Sequence, residues 1–142
     1  MRRFVRRGLG LLLGGVVALP AAAQRSPAPP AVALEEPRAN PVLPAVLVPF
    51  SIASDVCKRG NVPRVALQVY NVLAEPVATL SLRDRPAVVL DSIPLRCGQY
   101  VGLWDGTVAK GTRAASPGSI YYLTLSIDGV PQASKRLTFT EP

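Results

Sequence analysis

Tyr121-Tyr122-Leu123-Thr124-Leu125-Ser126-Ile127-Asp128-Gly129-Val130 is the stretch that decides the fold class. Tyr121, Leu123, Leu125 and Ile127 fall on one side of an extended chain, and Tyr122, Thr124 and Ser126 on the other. That is the period-2 pattern of a strand with one buried face. Asp128-Gly129 then predicts a type I′ hairpin, because both central residues of such a turn need positive φ. Leu137 and Phe139 carry the inward face of the returning strand.

Upstream, the same alternation recurs. Val65, Leu67 and Val69 alternate with Ala66, Gln68 and Tyr70, and Val46, Val48 and residues 50–52 predict an earlier strand. Glu75-Pro76 marks a turn, after which residues 77–82 resume the pattern until Arg83-Asp84-Arg85-Pro86 breaks it. Residues 87–90 read as a short apolar strand and residues 100–104 as another, followed by a glycine-bearing loop over 105–118. No segment beyond the N-terminal leader sustains a 3.6-residue period. About seven short strands with frequent turns predict an all-β, Ig-like β-sandwich.

The N-terminus reads differently. Arg2, Arg3, Arg6 and Arg7 precede an apolar run over residues 9–19, and Ala21-Ala22-Ala23 offers a small-residue cleavage site, the layout of a secretory signal peptide. The run is short of the roughly 20 residues a membrane-spanning helix needs, so a retained anchor is the weaker alternative. Export by the general secretory route is expected, to periplasm, cell surface or medium, with membrane contact only through the uncleaved signal. Residues 24–44 carry Pro27, Pro29, Pro30, Pro37, Pro41 and Pro44 and read as an extended tether. The expected organisation is a signal over 1–23, a linker over 24–44 and a sandwich over 45–142.

The leader also explains the charge. The formal +7 comes from 16 basic and 9 acidic residues. Four of the basic ones sit in the leader, leaving 12 − 9 = +3 for the rest. No Lys/Arg cluster interleaved with aromatics is present, so nucleic acid is not an expected partner. Cys57 and Cys97 make an even count in a chain expected to be exported, which favours a disulfide over two buried thiols. A zinc site is poorly supported without histidine.

Residues 50–139 resemble the Ig-like domain of the flagellar hook-capping protein, a module that recurs at the C-termini of bacterial exported proteins, including type IX secretion sorting domains. The marks are Tyr70-Asn71-Val72-Leu73, Val77-Ala78-Thr79-Leu80, Gly98, Trp104-Asp105-Gly106, Gly111 and Gly118, with Tyr121 to Leu125 and the Asp128-Gly129 hairpin. Asn40-Pro41 followed by Phe50-Ser51-Ile52 is similar to the family's approach to its first strand. The chain departs from the pattern between Leu80 and Gly98, where it is longer, and at Cys97, where the family has a small residue. One extra residue between Gly118 and Tyr121 suggests a bulge. The resemblance implies a non-catalytic sandwich.

The residues agree with that implication. Trp104 invites a stacking role and Asp105 a catalytic one, but a ring packed on the core and a carboxylate bonded to nearby amides are the stronger readings. The general base most used by enzymes, histidine, is absent, and the turn aspartates Asp84, Asp91, Asp105 and Asp128 are unpaired in sequence. Neither catalytic residues, a metal site nor a cofactor is expected. The expected function is an exported module for protein–protein or cell-envelope contact, its partner a protein of the envelope met at an edge strand. A secretion-sorting domain is the runner-up, weakened by the ending Phe139-Thr140-Glu141-Pro142, which lacks a basic tail. A small-ligand-binding sandwich is the third class and requires a pocket.

Overall fold

Period-2 apolar positions become the inner faces of two antiparallel sheets. The structure, a computed structural model, describes residues 10, 14–16, 31–39, 45–108, 113–115 and 118–139. Among them the strands are β1 (Val32–Leu34), β2 (Arg38–Ala39), β3 (Val46–Ile52), β4 (Arg64–Tyr70), β5 (Pro76–Thr79), β6 (Ser81–Leu82), β7 (Ile93–Pro94), β8 (Gly98–Trp104), β9 (Thr107–Val108), β10 (Arg113–Ala114), β11 (Ile120–Ile127) and β12 (Val130–Thr138). A 3-10 segment, Ser54–Gly60, carries the chain from β3 to β4.

One sheet has the order β1-β3-β8-β6, with β2 beside the start of β3. The other has the order β12-β11-β4-β5, with β7 beside the start of β4. Val46, Val48, Phe50 and Ile52 from the first sheet meet Val65, Leu67, Val69, Tyr121, Leu123, Leu125 and Ile127 from the second in one buried cluster. Fully burying one such aliphatic side chain stabilises the fold by about 1.5–3 kcal/mol, so this interface, not any single contact, holds the sandwich. The expected all-β sandwich is what the chain builds.

The cross-over between sheets was not visible in the apolar pattern. Residues 77–82 read as one strand, but β5 belongs to the second sheet and β6 to the first, and the chain changes sheet at Leu80. Three fully buried leucines close a ring of backbone bonds at that corner: Leu80 N–H donates to Leu67 O at 3.0 Å, Leu67 N–H to Leu90 O at 3.0 Å, and Leu90 N–H to Leu80 O at 2.8 Å. Each buried polar group thereby finds a partner where regular pairing ends. Gly102 on β8 faces this corner. A β-carbon there would lie 2.9 Å from Leu67 Cδ2 and 3.0 Å from Leu80 Cδ2, so any larger residue would force these two buried leucines to shift.

Several local expectations are corrected. Residues 32–34 and 38–39, assigned to the tether, are strands on β3, and Val32 and Leu34 lie in the core. Three alternating residues between prolines suffice to pair because β3 offers an open edge. Residues 87–90 form no strand. Val89 makes a single bridge to Ser81, and a turn closed by Val88 N–H to Arg85 O, around Pro86, sets their path. The loop over 105–118 contains the β9–β10 hairpin. The bulge lies not before Tyr121 but at Gln132, which is skipped where Leu125 faces Ala133 and Ser126 faces Pro131. The signal over 1–23, except Gly10 and 14–16, and the tether parts 24–30 and 40–44 lie outside the described residues, as do Asn40, Pro41 and Gly111.

Candidate functional site

The residues singled out in the sequence divide between the two ends of the sandwich. At one end, Trp104 closes β8 with 1% of its surface exposed, its ring edge-on to Tyr121 (centroids 5.2 Å apart) and Phe139 (5.6 Å). The indole Nε1–H donates to Thr107 O at 2.9 Å, satisfying the polar atom that burial would otherwise strand. Asp105 Oδ1 accepts from Thr107 N–H at 2.9 Å and from Thr107 Oγ1–H at 2.6 Å, so the carboxylate organises the turn through Gly106. Gly118 N–H donates to Phe139 O at 2.7 Å, holding the approach to β11 against the last strand.

Tyr70 and Asn71 lie at the same end. Asn71 Oδ1 accepts from the backbone N–H groups of Leu73 and Glu75, both at 3.0 Å, and its Nδ2 donates to Glu75 Oε2. The amide therefore shapes the turn into β5 and leaves Val72 and Leu73 projecting into solvent.

At the opposite end, Asp128 (φ 50°) and Gly129 (φ 80°) make the hairpin with positive φ at both central positions. Asp128 Oδ1 also accepts from Arg64 N–H at 2.9 Å, a bond that fastens the hairpin to the start of β4 and has no sequence signature. Cys57 and Cys97 are disulfide-bonded, with Cα atoms 6.0 Å apart. The bond pins the 3-10 segment leaving β3 to the residue before β8. These positions lie at two ends of the sandwich, and their described side-chain bonds run to neighbouring turns and strands.

Of the concave surfaces among the described residues, the two larger ones bear on binding. The first lies along β5. Because Leu80 N–H bonds Leu67 O, the antiparallel alternation makes Val69 and Ala78 the next bonded pair and turns the N–H and C=O of Thr79 away from β4. Among the described residues no backbone group pairs with them. They look over a groove of about 550 Å³ lined by Val77, Thr79, Ser81, Val89, Leu103 and Asp105, among others. Asp105 is its charged side chain among the described residues. The second surface is a shallow groove of about 770 Å³ on the outer face of the β12-β11-β4 sheet, where Tyr70 stands directly opposite Tyr122. Tyr121 is core and Tyr122 is 40% exposed, as their alternation predicts. Thr79 was marked in the sequence only as part of the Val77-Ala78-Thr79-Leu80 run, and Ser81, Gln132 and Ser134 were not candidates, because outward polar residues carry no mark of their own. No family model, curated protein or solved structure matches the chain, so the functional reading rests on this geometry.

Proposed function

We propose that the chain is an exported, non-catalytic Ig-like module of protein–protein contact in the cell envelope, and that it receives an extended segment of its partner along β5. The backbone groups of Thr79, unpaired among the described residues above the 550 Å³ groove, carry this reading. An added strand would find main-chain bonds at Thr79 and a recess for alternate side chains beside Val77 and Val89. The resemblance to the hook-capping Ig-like family, the leader and the disulfide support placement outside the cytoplasm.

Thr79→Pro tests it. The substitution removes the outward N–H while leaving the bonds of Leu80 and Ala78 to β4 in place, and an edge position with its N–H toward solvent tolerates proline. Stability should change by no more than about 1 kcal/mol. A partner that co-purifies with the tagged chain after cross-linking in the envelope should be lost with Thr79→Pro. Retention of that partner by a folded Thr79→Pro variant would refute the edge as the binding surface.

A further inference from the structure

The outer face of the second sheet has a different chemistry from the β5 edge. Tyr70 and Tyr122 are directly opposed on adjacent strands, which places their side chains about 5 Å apart at the β-carbons. Neither ring stacks on another described ring. Tyr70 is held by its hydroxyl, which donates to Gln68 Oε1 at 2.8 Å. Thr124 and Ser134 are the next cross-strand pair along the face, their hydroxyl oxygens 3.5 Å apart. Gln132 emerges beside them from the bulge on β12, a device that re-aims a side chain out of the regular alternation.

Charge narrows the ligand. Among the described residues no charged side chain lines this groove, although the chain as a whole is basic. Arg136 stands opposite Tyr122 but outside it. A phosphate-bearing ligand would need Lys or Arg here, and an added strand cannot bond to it, because the backbones of β4 and β11 are already paired on both sides. What the face offers is aromatic surface, electron-rich on each ring face, next to neutral hydroxyl and amide groups. The volume of about 770 Å³ lies in the range of ligand sites.

From these observations we infer that the face around Tyr70 and Tyr122 binds an uncharged pyranose chain. The C–H face of a sugar ring carries slight positive charge and packs on a tyrosine face. Its equatorial hydroxyls then meet Thr124, Ser134 and Gln132. A neutral oligosaccharide satisfies both halves of this surface at once. The site does not involve the β5 edge, so the two readings can fail separately.

Calorimetric titration of the purified, disulfide-bonded chain with cellohexaose, with N-acetylglucosamine hexasaccharide and with an oligomeric uronate tests the inference. Binding of at least one neutral probe, millimolar or tighter, with no binding of the uronate, is expected. Which neutral probe binds distinguishes a plain glucan from an N-acetylated wall glycan. Tyr122→Ala should weaken binding about tenfold, the upper end of what one aromatic contact contributes. Tyr122→Phe should retain it, since the ring and not the hydroxyl stacks. Thr79→Pro should leave it unchanged. Failure of both neutral probes, equal binding of the uronate, or wild-type binding by a folded Tyr122→Ala variant overturns the site.

Discussion

The two lateral sides of the sandwich are finished in opposite ways. On one side lie β12 and β1. The long β12 carries Pro131, which has no N–H, the bulge at Gln132, and Lys135 opposite the inward-facing Leu123. Lys135 Nζ reaches Glu36 Oε1 at 2.7 Å, just past β1, so an ion pair ties the edges of the two sheets together. Proline, a bulge and an inward charge are the devices by which soluble sheets prevent unwanted pairing. On the other side, residues 88–90 cover β6. The four-residue β5 is left with Thr79 unpaired among the described residues and a groove beside it. Among the described residues one edge is blocked three times over and the other is left open, the asymmetry that the proposed strand-accepting role requires.

Predictions that break this contrast should scale with what holds each side. The largest effect should come from a feature of neither edge. Replacing Cys57 and Cys97 by serine frees a loop closed over a separation of 40 residues, a loss of about 3–4 kcal/mol in the chain-entropy model. Urea unfolding should show that loss, while size-exclusion behaviour and partner capture stay as in the wild type. An unchanged midpoint would show that the disulfide does not staple the fold.

Next is the closed edge itself. Leu34→Ala removes a core side chain from β1, with an expected cost of about 2–4 kcal/mol. Because loosening β1 uncovers β3, sedimentation should also show concentration-dependent association that the wild type lacks. A midpoint shift under about 0.5 kcal/mol would mean that β1 contributes little to the folded sandwich, and the contrast between the edges would weaken with it.

That closed edge is also where the sequence was least legible. The long strands announced themselves, since Val65, Leu67 and Val69 or Tyr121, Leu123 and Leu125 alternate over enough residues to exceed chance. So did the hairpin, because few dipeptides other than Asp-Gly accept positive φ twice. The structural roles of Trp104, Asp105 and Asn71 were readable because they are local, each side chain bonding within four residues of itself. Val32-Ala33-Leu34 was hidden by the surrounding prolines, and its pairing depends on a vacancy beside β3 that only tertiary structure creates. The sheet change at Leu80 has no glycine or proline to mark it. Both grooves depend on which strands become neighbours, so the unpaired edge at Thr79 and the outward turn of Gln132 had no sign in the sequence.

Lys135→Ala is the smallest and most discriminating change. The pair it breaks is partly exposed on the lysine side and mostly exposed on the glutamate side, so its loss should cost only about 0.2–1 kcal/mol. If the ion pair mattered only for stability, little else would follow. As an inward charge on an edge strand it has a second function: a docking strand would have to bury the ammonium or displace Glu36. Lys135→Ala should therefore self-associate more than the wild type at nearly unchanged stability, while Lys135→Arg, which keeps an inward charge, should remain as the wild type. Dynamic light scattering at matched concentrations separates the two outcomes. Equal association of all three chains would remove Lys135 from the account and leave Pro131 and the bulge as the guards of that edge.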